Sequence, residues 1–344
     1  MHHLPESDDP LAASRKQDHI QLAFQSQTAP AELDNRFYYE PLLSAHPEAG
    51  SWPSFSFLGK KMHAPLWVSS MTGGTALARH INQHLARACG EFGMGMGLGS
   101  CRQLLYSDEY LSDFTVRPLL GDTFPLFANL GIDQIERLLS RKETERIDQL
   151  LHKLQADGLI IHINPMQEWM QPEGDRFQQP PIDTIRALLQ HARYPIIVKE
   201  VGQGMGWNSL KALLQLPLAA IDFGAAGGTN FARLELLRSA AATADAFQPL
   251  ALVGHTFTDM TDMTNALYQE LGDTAQCHQL IISGGIRHFL DGFYAVKKST
   301  LPAVYGQASA FLEHARGDYD TLHQFIQKQI RGLEMANAFL HIRP

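Results

Sequence analysis

Residues 158–168 read "GLIIHINPMQE". Gly158, Leu159, Ile160 and Ile161 are apolar at consecutive positions, not alternate ones. A strand with one wet face alternates, whereas an unbroken apolar run is the pattern of a strand covered on both faces, as in parallel sheets. Within a few residues the run gives way to His162, Asn164, Gln167 and Glu168, with Pro165 among them. A buried strand therefore ends in an imidazole, two amides and a carboxylate.

Working outward, "PIIVKE" at 195–200 has the same character. Further short apolar runs stand at 65–70, 94–98, 125–129, 219–223, 279–283 and 303–306. Between most of these eight runs lie segments of helical period, such as 136–155 and 182–191. Strands alternating with helices predict an α/β fold, here a closed (β/α)8 barrel, with an open doubly wound sheet as the competing arrangement. Such a barrel takes about 250 residues, and the chain has 344. Residues 1–64 read as an irregular N-terminal extension with one helix around 33–39, and residues 65–344 as the barrel. A long insertion at about 231–278, between strands six and seven, is expected to hold two helices, in 234–246 and near 260–269; residues 319–340 read as a closing helix.

Apolar residues make up 44% of the chain, ample for a core of that size. Lys and Arg number 28 against 36 Asp and Glu, a net charge of −8 with no block of like charge. That balance argues against a nucleic acid or an anionic membrane held by overall field. Cys89, Cys101 and Cys277 form no C-x-x-C pair, so neither a disulfide framework nor a zinc site is indicated. The opening "MHHLPE" lacks a basic-then-apolar signal pattern, and no apolar run approaches a membrane span; the cytoplasm is the expected compartment.

In a parallel barrel, chemistry collects where strands end. The run Gly93, Gly95, Gly97, Gly99 puts four glycines on one side of a strand. Such a side admits a flat ligand or simply tight packing inside the barrel, and packing is the stronger reading. "GGT" at 227–229 and "SGGIR" at 283–287 each follow a strand and precede a helix, where free backbone N–H groups can cradle a phosphate. Lys199 closes a buried strand and needs a partner, either a bound anion or electron-rich ring, or Glu200 or Asp222. In the opening stretch a lone carboxylate rules against paired-carboxylate hydrolysis, and the ligands zinc prefers are absent. One carboxylate flanked by amides suits Mg²⁺ carried on a phosphorylated substrate.

Together these stretches resemble the type II isopentenyl-diphosphate isomerases, FMN-dependent barrel enzymes. The matching pieces are "RKQDHI", "SSMTGG", "GLGSCR", "ANLG", "IHINPMQEWMQPEGD", "IVKEVGQGMG", "DFGAAGGTNFARLE" and "SGGIRHFLD", in order from residue 15 to residue 291. The resemblance implies that Ser70, Met71, Thr72, Ser100, Asn129, Lys199 and Thr229 contact FMN. Gly284, Gly285 and Arg287, with the backbone at Gln307 and Ala308, would hold its phosphate. Arg15, Lys16 and Arg102 would bind the substrate diphosphate, with Ser100 also in the substrate site. Gln167 would face the reacting alkene, Glu168 would ligate Mg²⁺, and His19, His162 and Asn164 would complete the pocket.

The implied reaction interconverts isopentenyl and dimethylallyl diphosphate with no net redox. Reduced FMN gives and takes the proton, and NADPH serves only to reduce the flavin. The family also implies homo-oligomers, tetramers or octamers. Two alternatives are an FMN-dependent oxidoreductase of the 2-hydroxy-acid type and a non-catalytic FMN-binding barrel. The first needs a base, normally His, near strand six, where this chain has "AAGGTNF". The chain departs from the family pattern in several places: Phe231 replaces a Trp, the strand-eight approach "KKSTLPAVYGQASAFL" lacks the usual Leu-Gly-Ala turn, Ser309-Ala310 stand where an Arg-Pro is usual, and Cys101 lies between Ser100 and Arg102.

Overall fold

The apolar run that opens at Gly158 forms strand β4, Gly158–Ile163, whose first four residues are buried. The computed structural model describes residues 11–70, 76–239 and 241–343. The other barrel strands are β1 (Leu66–Val68), β2 (Gly95–Gly97), β3 (Leu126–Gly131), β5 (Ile196–Glu200), β6 (Ala220–Asp222), β7 (Leu280–Ser283) and β8 (Ala303–Gln307). All eight pair in parallel in sequence order, and β8 closes the ring on β1 through Tyr305↔Leu66 and Gly306↔Trp67. The closed barrel, not the open sheet, is therefore the fold.

Alternation along each strand separates two cores. Outward-facing residues such as Leu66, Val68, Leu159, Ile161, Val198 and Ile282 pack in the larger cluster. Inside, Trp67, Phe127, Ile160, Ile197, Ala220, Ile281 and Val304 fill the barrel. Strand β2 offers Gly95 instead, where a Cβ would stand 2.4 Å from the Trp67 ring. At Gly97 a Cβ would meet Ile160 Cδ1 at 2.6 Å. The glycine side of β2 thus makes room for neighbouring side chains, as the packing reading holds. An antiparallel hairpin, Phe55–Phe57 with Lys60–Met62, adds Phe57 and Met62 to this inner cluster.

Several local expectations differ from the structure. The segment 136–155 divides into helices Ile132–Arg141 and Glu145–Leu154, because Lys142 takes the left-handed conformation at φ 58° and ends the first. No helix forms around 33–39: Phe37–Tyr39 is a strand paired antiparallel with Leu340–Ile342, and the helix of this region is Ala12–Leu22. Aromatic residues suit a strand, but the partner lies at the far end of the chain and leaves no local trace. Among the described residues, three α-helices, not two, stand between β6 and β7: Phe231–Arg238, Ala241–Ala251 and Phe257–Leu271. The third begins at its own capping box, Thr256 with Asp259, which separates it from the second. The long helix Tyr319–Phe339 follows β8 as expected. Among the described residues, no helix is long and apolar enough to cross a membrane.

Candidate active site at the C-terminal mouth of the barrel

Two residues beyond each interior plug residue, the same inward face reaches the mouth. Phe127 leads to Asn129, Ile160 to His162, Ile197 to Lys199, Ala220 to Asp222 and Ile281 to Ser283. The period of two alone thus lines the upper barrel with polar groups. Asn129 is buried and its Oδ1 lies 2.9 Å from His162 Nδ1. Burial, together with the Lys199 charge, depresses the His162 imidazole to about 3, so it is neutral near pH 7. Lys199 is buried, and its Nζ donates to the Glu200 carbonyl at 3.0 Å.

Neither acid neighbour serves as the partner of Lys199. The Glu200 Oε2 instead accepts the N–H groups of Gly202, Gln203 and Gly204 at 2.7–2.8 Å. Asp222 is fully buried, accepts the Ser283 hydroxyl on Oδ1, and has no hydrogen-bond partner for Oδ2 among the described residues. Burial holds the Asp222 carboxyl above its usual range, against the pull of the Lys199 charge. Among the described residues, Lys199 has no carboxylate at ion-pair distance.

Beside Lys199 opens a cavity of about 300 Å³, lined by Ser70, Thr229, Gly284, Gly285, Arg287, Gln307 and Ala308 among others. These are the positions expected to hold FMN and its phosphate. The Ser70 hydroxyl is buried and has no partner among the described residues. Gly284 and Gly285 have φ of 87° and 73°, and a Cβ on Gly284 would stand 2.0 Å from the Ala225 carbonyl oxygen. Gly227 and Gly228 face them closely enough that a Cβ on Gly228 would lie 3.0 Å from the Gly285 nitrogen. The two glycine turns read from the sequence thus form one cradle. The exposed Arg287 stands at its edge, and its guanidinium has no partner among the described residues. Gln307 is fixed by donating to the Ile286 carbonyl and accepting from Gln329. Phe231, Ser309 and Ala310 also line the cavity, so the substituted positions keep their places in its wall. These unpartnered groups and glycine faces fit a flavin mononucleotide. Met71 and Thr72 lie outside the described residues.

The polar half of the opening stretch forms a second cluster. Asn164 is the buried residue before helix Pro165–Met170; its Nδ2 donates to Glu168 Oε1 at 2.8 Å and to Gln167 Oε1 at 3.1 Å. Its own Oδ1 has no partner among the described residues. Glu168 Oε2 accepts the Asp175 N–H at 2.6 Å. Gln167 Nε2 donates to Glu235 Oε1 at 3.2 Å, and Glu235 is 2% exposed. Sequence reading passed over Glu235, which sits inside the matched "FARLE" piece with no pattern to mark it. The described residues contain no group of three His, Cys, Asp or Glu arranged for a metal. A single carboxylate with neutral amides fits an ion that takes most of its ligands from substrate phosphate and water.

Other expected residues lie apart. Arg15, Lys16 and His19 are exposed on helix Ala12–Leu22, none of whose residues is buried. Ser100 is exposed beyond β2, and Arg102 binds Asp175 at 3.1 Å. Cys101 is buried, its thiol pushed up to about 12, which makes it an inert packing residue.

No protein-family model matches the chain. Among solved structures, a flavocytochrome b2 variant with sulfite bound resembles it with TM-score 0.59 at 15% identity, over 92% of this chain and 78% of that one. A mandelate oxidase variant with a monooxide FMN adduct gives 0.56 at 13%, over 90% and 88%. At such identities the likeness shows a shared barrel. Curated relatives go further. An isopentenyl-diphosphate delta-isomerase of Synechococcus sp. is 36% identical over 338 residues, covering 95% of this chain and 93% of that protein. One of Rickettsia rickettsii is 32% identical over 333 residues, with the same coverage. The chain therefore belongs to the isopentenyl-diphosphate delta-isomerases, and its eight-stranded parallel barrel places it with the type II enzymes.

Proposed function

We propose that this protein interconverts isopentenyl and dimethylallyl diphosphate, using reduced FMN and Mg²⁺ with no net redox, and NADPH as the reductant of the flavin. The observation that carries this reading is the juxtaposition at one barrel mouth of buried Lys199, the glycine cradle and the Asn164–Gln167–Glu168 cluster. Lys199, Ser70 and Thr229 of the cavity wall hold the flavin, with Asn129, which lies outside that wall beside His162, and Gly284, Gly285, Arg287, Gln307 and Ala308 hold its phosphate. Glu168 ligates Mg²⁺; Arg102 takes the diphosphate, with Ser100 beside it.

Bound reduced flavin supplies a proton donor and acceptor that side chains lack at neutral pH. The chain's own residues orient and shield. His162, neutral and fixed by Asn129, hydrogen-bonds without adding charge. Gln167 is held by Glu235 and faces the alkene, while Asn164 sets the Glu168 carboxylate toward the metal. Arg15, Lys16 and His19 reach the diphosphate through movement of the segment that carries them. That segment also exposes Ile20, Leu22 and Phe24, which supports a homo-oligomer, tetramer or octamer, closing over it.

No histidine lines the cavity beside Lys199, and His255 faces a separate apolar cavity; both facts weigh against 2-hydroxy-acid oxidation. The deciding experiment is anaerobic incubation of flavin-loaded protein with isopentenyl diphosphate, Mg²⁺ and dithionite. Formation of the dimethylallyl isomer, lost on removal of FMN, is expected. Equal turnover by flavin-stripped protein overturns the reading.

A further inference from the structure

Arg137 lies on helix Ile132–Arg141, which leaves the end of β3, and neither sequence pattern nor resemblance singles it out. Its Nη2 binds the buried Asp133 at 2.7 Å and Asp175 Oδ1 at 2.5 Å. The other oxygen of Asp175 binds Arg102 Nη1 at 3.1 Å. One carboxylate thus bridges two guanidiniums carried by different elements, one following β2 and one following β3. The side chains of Arg102 and Arg137 are 53% and 42% exposed, that of Asp175 only 24%. The cations therefore open outward while the anion sits within. The Asp175 N–H also donates to Glu168 Oε2, so the pair adjoins the carboxylate assigned to the metal.

Two guanidiniums, each giving one nitrogen to a different oxygen of the same carboxylate, converge as they would on a phosphate-type anion. Resting on the isomerase reading, we propose that Arg137 joins Arg102 as a receptor for the substrate diphosphate. The Asp175 side chain is the internal anion that holds both arginines until the diphosphate displaces it. A diphosphate brings more charge and more acceptor oxygens than one carboxylate, which drives the exchange. Asp133 stays with Arg137 Nη2 throughout and fixes the guanidinium. A merely structural network at the surface would leave anion affinity unchanged.

The test titrates inorganic pyrophosphate with Mg²⁺ into flavin-loaded wild type, the double variant Asp133→Asn/Arg137→Gln, and Asp175→Asn. KM and kcat for isopentenyl diphosphate are measured alongside. The double variant removes the buried acid together with its counter-charge, so it avoids an unpaired buried carboxylate. We expect it to weaken pyrophosphate binding by about 10-fold, as losing a charged hydrogen-bond donor does, and to raise KM more than it lowers kcat. Asp175→Asn should tighten pyrophosphate, since both arginines are released. Unchanged affinity in the double variant, or equal weakening in both variants, overturns the receptor. If pyrophosphate binds as expected but wild type shows no turnover, the isomerase reading fails and the receptor stands.

Discussion

His162 has an imidazole nitrogen 2.9 Å from the buried Asn129 amide and a buried ammonium, Lys199, in the same barrel layer. Its folded pKa of about 3 lies below the ordinary value of 6.5. Between those values the unfolded chain takes up a proton that the folded one refuses, so stability falls as pH drops from 6.5 toward 3. His162→Gln should show a smaller loss of urea midpoint between pH 7 and pH 5 than wild type. An identical loss in both proteins would show that this imidazole is not the sensitive group. Glu168 is the only carboxylate of the "HINPMQE" stretch, and Asn164 and the Asp175 N–H hold it in place. Glu168→Gln keeps the shape and removes the charge. It should lower Mg²⁺-supported turnover by at least about 100-fold, the scale for losing one electrostatic contact in an enclosed site, while the protein stays yellow. Undiminished turnover across a Mg²⁺ titration would remove Glu168 from the metal.

At the scale of elements, the turn after β7 sets the cradle. Gly284 takes φ 87°, and a Cβ there would overlap the Ala225 carbonyl, which belongs to the turn after β6. Gly284→Ala should cost about 1–3 kcal/mol from overpacking, with added backbone strain. It should also weaken flavin retention. Thermal unfolding with visible absorbance checks both, and full occupancy at wild-type Tm would contradict the close approach described here. The strands were the legible elements: short, mainly apolar runs mark them, several unbroken because both faces of the strand are covered. The helices between β6 and β7 were less so, since their number depends on where caps interrupt similar periodic stretches.

Across the whole molecule, the hairpin Phe55–Phe57/Lys60–Met62 inserts Phe57 and Met62 among the inward residues of the barrel strands. Phe57 is 1% exposed and lies in the plug, below the layer that carries the site. Phe57→Ala should cost about 3–5 kcal/mol by deleting a buried ring, while turnover per folded molecule holds. A lower denaturant midpoint with unchanged specific activity is expected; loss of activity in step with kept stability would place the hairpin in the site. The strand Phe37–Tyr39 meets Leu340–Ile342 across nearly the whole chain. Such long-range pairing fixes the two ends against the barrel and is invisible to any local pattern.

The sequence alone determined buried strands alternating with helices, because two-sided burial writes itself as consecutive apolar residues and the turns that follow need glycine at particular positions; the pairing of β8 with β1 decided that they close into a barrel. The sequence also determined the family, through blocks such as "HINPMQE" whose residue types are tied to one chemistry. Only tertiary structure decided which polar groups meet. Asn129 binds His162, Glu235 steadies Gln167, and Asp175 joins Arg102 to Arg137. Each pair comes from different strands, helices or loops, and closure of the ring, not spacing along the chain, brings them within hydrogen-bond reach.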